Sequence, residues 1–160
     1  MPGYKQHLCG GIAVYGLTCG ILHKVNSPLF VHADTPFFLL EWLTFALAGS
    51  LFPDVDIKSK GQQIYYWIIS LVTVLLILYG NYKAISIVAV AAAVPPLATH
   101  RGIFHRTWFI LGLTFLGAYF GGQLYPCYAE RMFIDAAFFS IGALSHVWLD
   151  SGFQGLCKLW

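Results

Sequence analysis

Apolar residues fall in six blocks separated by short polar segments. Crossing about 30 Å of hydrocarbon takes roughly 20 residues of helix, and the blocks approach that length. The clearest is 61–82, uncharged throughout, with Tyr65, Tyr66 and Trp67 at one end and Tyr79 and Tyr82 at the other, an aromatic belt at each interface. Residues 107–129 form a second, whose glycines (Gly112, Gly117, Gly121, Gly122) invite close approach of a neighbouring helix. Residues 35–53 open with Thr35-Pro36 as cap and first helical residue. Residues 132–149 make a fourth block, 8–22 a short but uncharged fifth, and 84–99 a sixth that Pro95-Pro96 must bend or break. The pattern predicts an all-α fold: a polytopic membrane helical bundle of about six transmembrane helices, one domain over residues 1–160, with short connections and antiparallel neighbours.

Composition supports this class. Of 160 residues 58% are apolar, mean hydropathy is +0.69, and only 9 Lys+Arg and 7 Asp+Glu are present. A soluble domain carries roughly 25% charged residues, so this chain cannot cover itself with a polar skin. Disorder is excluded by the same apolar content. A net charge of +2 is too small to suggest a nucleic-acid partner. Cys9, Cys19, Cys127 and Cys157 form no CxxC pair and read as small buried hydrophobes. No cleavable leader is expected, because the first apolar block is broken by glycines and lacks a small-x-small site.

Six crossings assign each polar segment to a side. The side of the N-terminus would hold Lys5, Lys58, Lys60, Arg101, Arg106 and Lys158, and the other side Lys24, Lys83 and Arg131. That excess makes the N-terminal side cytoplasmic, with both termini there, in a multi-pass protein of the cell (inner) membrane.

The same side collects the chemistry. His7 precedes the first block, and Asp54 and Asp56 follow the second in Pro53-Asp54-Val55-Asp56. His100 and His105 lie in His100-Arg101-Gly102-Ile103-Phe104-His105, and His146 and Asp150 close the last block. His146 and Asp150, four apart, stack on one helical face about 6 Å from each other, a spacing that can chelate one ion or let the Asp orient the His. Asp54 and Asp56 after a proline suit an extended turn that aims both carboxylates one way. Five residues rotate a helical direction by about 140°, so His100 and His105 need the turn that Gly102 offers to meet at one site. Each residue alone also fits a plainer role. His7 can be an interfacial side chain, the two aspartates can cap a helix end, and Arg101 and Arg106 can be membrane anchors. Their gathering on one side of so charge-poor a chain favours a shared metal site. Glu41 and Asp135 fall inside blocks on the opposite side, where Arg131 or Lys24 can pair with them, and they receive no chemistry.

The four motifs together resemble the small YdjM-like inner-membrane metal-dependent hydrolases, whose pattern is an early His, Pro-Asp-x-Asp after a hydrophobic span, a His-Arg-Gly-x-x-His loop and a closing His-x-x-x-Asp. The order matches across nearly the whole chain. Arg106 departs from the family, which commonly has Ser after the second loop His, and this bears on substrate preference. The resemblance implies distant similarity to the zinc-dependent phospholipase C and S1 nuclease group, and hence a hydrolase acting on phosphoesters or lipids.

These readings give metal ligands His7, Asp54, Asp56, His105, His146 and Asp150, with His100 a seventh ligand or a proton shuttle. Asp54, His100, Arg101 and Arg106 are the catalytic candidates, the arginines as guanidinium contacts to a phosphoryl group. The expected cofactor is a divalent metal, Zn²⁺ first and one to three ions, with Mn²⁺ or Fe²⁺ open on ligand type. Such an ion lowers the pKa of its water to about 7. The expected partners are the bilayer and a lipid or membrane-associated phosphoester substrate, with homo-oligomers left open. A metal-ion transporter, or a metal-binding membrane scaffold without catalysis, is the alternative.

Overall fold

The computed structural model describes residues 3–25, 36–56, 60–82, 84–85, 88–89, 92–93 and 103–157. Regular structure among them is helical: α1 (Tyr4–Lys24), α2 (Pro36–Leu51), α3 (Lys60–Leu78), α4 (Thr107–Leu124) and α5 (Ala129–Cys157). Three 3-10 turns (Phe52–Asp56, Ile103–His105 and Pro126–Tyr128) join or precede them. Three stretches are long and apolar enough to cross a membrane: Phe37–Val55, Lys60–Leu78 and Pro126–Gly152. The expected Pro95-Pro96 break lies outside the described residues.

Local chemistry accounts for the helix ends. The Gly3 amide at the start of α1 donates to the Gln6 side chain (2.9 Å), and His23 and Lys24 occupy the last turn, where cations suit the helix dipole. At the end of α3, Gly80 adopts φ 66°, and the amides of Gly80 and Asn81 return to the carbonyls of Ile77 and Leu76 at 3.0 Å each. This left-handed glycine cap ends the helix at Leu78. Between α4 and α5 the chain turns at Pro126, so the break falls before residue 129 rather than after it. In α5 a second positive-φ glycine, Gly152 (φ 62°), interrupts the helix just beyond Asp150.

Helix α5 is the central strut and packs against α1, α2 and α4, while α1 also packs on α2. The α2–α5 crossing is the closest. A Cβ on Gly49 would lie 2.0 Å from the Phe139 carbonyl oxygen, and one on Gly142 would lie 2.0 Å from the Ala46 carbonyl oxygen. A Cβ on Gly11 would meet Ser50 at 2.9 Å, so α1 also depends on a small residue there. The glycines of α4 behave otherwise than expected. Gly112 and Gly117 face open space, and only Gly121 and Gly122 approach α5, at Met132 and Ala129. A helix admits close approach only where a partner lies against the glycine, and the partner is not encoded locally.

Aromatic residues fill the remaining contacts. Trp42 stacks on Phe138 with ring centroids 5.0 Å apart, and the Tyr15 hydroxyl donates to the Leu39 carbonyl at 2.9 Å. Phe52 meets Phe104 and Phe139 edge-on at 5.3 and 5.2 Å, forming with Val55 a buried cluster at one end of the bundle. Helix α3 stands apart from this core. Only 6% of its window is buried, and Trp67, Leu71 and Leu78 are exposed. Its main contact is with the turn Phe52–Asp56. A helix apolar on nearly every side and yet uncovered belongs in lipid. Cys9 and Cys127 are likewise exposed rather than buried as expected, since the apolar surroundings of a membrane helix include the bilayer itself.

Candidate metal centre

Five ionisable side chains from four separate segments meet at the end of the bundle above the Phe52–Val55–Phe104 cluster. His146 and Asp150 lie one turn apart on α5, with Nε2 and Oδ2 separated by 3.2 Å. His105, from the turn before α4, brings its Nε2 within 3.4 Å of the same oxygen. Asp54, from the turn after α2, places Oδ1 3.5 Å from His146 Nε2 and 3.9 Å from His105 Nε2. His7, in the first turns of α1, sets Nε2 3.5 Å from Asp150 Oδ1 and stacks its ring on that of His146, with centroids 3.6 Å apart. One ligand atom from each of Asp54, His105, His146 and Asp150 lies within 4.8 Å of all the others, a grouping able to hold a metal ion.

The backbone around His146 fixes how it presents itself. Its Nδ1 lies 2.7 Å from the Ser50 carbonyl oxygen and therefore donates to it. Ser50 is in the last turn of α2, where carbonyls lose their helical partners, and Pro53 has no N–H to return to it from three residues on. The proton is thus held on Nδ1, and Nε2 is directed at the two carboxylates. Metal-bound histidines are commonly held in this way. Nε2 is fully buried and hydrogen-bonds to nothing, as does Asp150 Oδ1. Buried polar atoms without partners are costly, and a cation would satisfy both.

Burial is one-sided. His7 and His146 are 1% and 0% exposed, whereas the side chains of His105, Asp54 and Asp150 keep 28%, 22% and 12% of their surface. The cluster is closed behind and open in front. Two carboxylates with three imidazoles match the donor preference of a divalent ion such as Zn²⁺.

The sequence expectations fare unevenly here. His7 lies within α1 rather than ahead of it, because the helix starts at Tyr4, and this turns the ring inward. Residues 52–56 form a 3-10 turn, not an extended one, so the alternation expected to aim Asp54 and Asp56 together does not apply. Asp54 reaches the cluster, and the side chain of Asp56 lies outside the described residues. His100 and Arg101 also lie outside them. Arg106 caps the start of α4 beside His105, half-buried, with Nη1 buried and without a hydrogen-bond partner. Two contributors had no sequence signal pointing to them. One is the Ser50 carbonyl. The other is Gln62 of α3, whose Nε2 donates to the Val55 carbonyl at 3.0 Å and braces the turn that carries Asp54.

On the opposite side of the bundle Arg131 pairs with Glu41, its Nε 2.9 Å from each carboxylate oxygen, as one of the two pairings expected. These features define a membrane-embedded, all-helical protein with a His/Asp cluster suited to a cation at one end of its bundle. The chain belongs to the YdjM inner membrane protein family, whose family model matches residues 1–159. No curated protein and no solved structure matches it. The comparisons therefore give no support to the expected similarity to the zinc-dependent phospholipase C and S1 nuclease group.

Proposed function

We propose that this protein is a metal-dependent hydrolase of the inner membrane that cleaves a phosphoester, on a lipid head group or a similar membrane-associated substrate, at the cytoplasmic surface. The observation that carries this reading is the convergence of His7, Asp54, His105, His146 and Asp150 from four segments around a buried, correctly tautomerised imidazole with one face open. A structural zinc site is closed by four ligands, whereas a catalytic one keeps a position for water or substrate.

Each residue then has a task. Ser50 holds the His146 ring and its tautomer. Asp150 faces His7 with one oxygen and His105 and His146 with the other, so it would help to hold a metal between them. Asp54 and His105 complete the open edge. Bound there, a divalent ion supplies Lewis-acid activation of water and of the phosphoryl oxygen. Arg101 and Arg106 serve as guanidinium partners for the phosphoryl group, and His100 as a further ligand or proton carrier. Water adds to phosphorus, the ester P–O bond breaks, and the departing oxygen takes up a proton. The burial of His7 and His146 keeps bulk water behind the reacting side.

With about six spans in a multi-pass topology, the excess of basic residues on the N-terminal side supports cytoplasmic termini. An even number of crossings between successive ligand segments is what allows one pocket to collect them all. The test uses purified protein in detergent and in liposomes. Wild type is expected to carry metal by elemental analysis and to hydrolyse a generic phosphodiester in a chelator-sensitive way. His146→Ala should lose both while its helical circular dichroism stays unchanged. Metal flux across liposomes without turnover would make the protein a transporter, and full metal content in His146→Ala would refute the ligand assignment.

A further inference from the structure

At the opposite end of α5 from the metal cluster, a cavity of about 270 Å³ opens between α2, α4 and α5. Its wall is nearly all apolar or small, including Phe45, Gly117, Met132 and Phe139, with Thr114 at one edge. The exceptions are Tyr125, whose hydroxyl donates to Asn81 Oδ1 at 3.3 Å, and Asp135. Asp135 is 6% exposed, and its Oδ1 is buried with no hydrogen-bond partner. Among the described residues the neighbouring cation is already engaged. Arg131, one turn earlier on α5, holds Glu41 through Nε and Nη2 and lies 4.8 Å from the centre of the Phe38 ring. The Asp135 side chain also hydrogen-bonds that of Glu41, so two carboxyl groups share a single guanidinium and Oδ1 is the oxygen left over.

Three facts therefore coincide: an apolar cavity, a buried carboxyl oxygen in its wall that nothing satisfies, and two adjoining carboxyl groups with one guanidinium between them. A buried acceptor left unmade is costly, and a charge-assisted bond is among the strongest remedies. An incoming hydroxyl would satisfy the oxygen but not the charge, and a bare hydrocarbon would satisfy neither. A primary ammonium on a hydrocarbon body does both, its tail lying against Phe45, Met132 and Phe139. We propose that this cavity is a binding site for a primary alkylammonium amphiphile, held by Asp135. Asp135 and His146 are eleven residues apart, about 16 Å along the helix, so the site is separate from the metal cluster and independent of the hydrolase reading.

Calorimetric titration of the full chain in nonionic detergent micelles tests this, with decylamine as probe and decanol as the uncharged control. Wild type is expected to bind decylamine saturably at one per chain, and decanol about tenfold or more weakly. Asp135→Asn should weaken decylamine about tenfold while leaving decanol unchanged. Gly117→Leu keeps the carboxyl group and fills the cavity from a position where a Cβ meets nothing within 4 Å, so it should fold and lose decylamine binding. The proposal is overturned if wild type shows no saturable decylamine binding or binds both probes equally. It is equally overturned if Gly117→Leu binds decylamine as wild type does, a result that stands even if Asp135→Asn fails to fold.

Discussion

On the proposed metal site, the close crossing of α2 and α5 should make metal affinity depend on a glycine that lies outside the cluster. Gly142 sits one turn before His146 on α5, and a Cβ there would lie 2.0 Å from the Ala46 carbonyl oxygen. Relieving that overlap to an ordinary separation of about 3.5 Å moves the helices apart by about 1.5 Å. The same movement stretches the His146 Nδ1 to Ser50 bond from 2.7 Å to about 4 Å, beyond hydrogen-bonding range. Gly142→Ala should therefore cost about 1–3 kcal/mol through overpacking. Loss of the carbonyl that orients the ligand should separately weaken metal binding about 10- to 100-fold. The control is Gly112→Ala on α4, where an added Cβ meets nothing within 4 Å and neither quantity should move. Metal affinity is read by competition with a chromophoric chelator, and stability by thermal unfolding in detergent. If Gly142→Ala binds metal as tightly as wild type while losing stability, the coupling between helix spacing and imidazole orientation is wrong.

Two further substitutions probe the supports of the cluster. Pro53→Ala restores an N–H three residues after Ser50 that competes with His146 for the same carbonyl, and it should lower metal affinity about tenfold with little change in helicity; unchanged affinity by the same competition assay would show that the proline is incidental. Gln62→Leu removes the 3.0 Å bond to the Val55 carbonyl, worth about 1 kcal/mol, and should weaken metal binding about fivefold through Asp54. Combining it with Asp54→Ala should then cost no more than Asp54→Ala alone, and additive losses would place Gln62 outside this path.

The candidate cluster was legible because the chain is so poor in charge. In a sequence with sixteen Lys, Arg, Asp and Glu residues, an ionisable group beside an apolar block needs a reason, and His146 and Asp150 four apart already describe one helical face. Counting crossings then brought His7, Asp54 and His105 to the same end without any knowledge of packing. What could not be read was whatever depends on a partner helix. The glycines of α4 look like a packing motif, yet only Gly121 and Gly122 meet a neighbouring helix, while Gly49 and Gly142, less conspicuous in sequence, set the closest contact in the bundle. The Ser50 carbonyl is invisible for the same reason. Backbone groups become ligands' supports only when tertiary structure strips away their helical partners. Residues 52–56 illustrate a third limit. Proline ends α2, but whether the chain then extends or tightens into a 3-10 turn is decided by Phe52 and Val55 burying against Phe104.

This dependence on partners explains why so little of the bundle has to be rigid for the site to be rigid. Three of the five clustered side chains, His7, His146 and Asp150, come from α1 and α5, and the orienting carbonyl comes from α2. Those three helices are the ones joined through Gly11, Gly49 and Gly142, where backbone approaches backbone or a short side chain. Small residues leave few rotamers to rearrange, so the spacing there is set by main-chain contact rather than by adaptable packing. Helix α3, by contrast, is held mainly at its end near the turn, through Gln62, and leaves its length to the lipid. Asp54, carried on that turn, is the ligand whose position α3 can alter. Movement of α3 in the bilayer would therefore reach the cluster through Asp54 at its open edge, while the buried pair of His7 and His146 stayed in place.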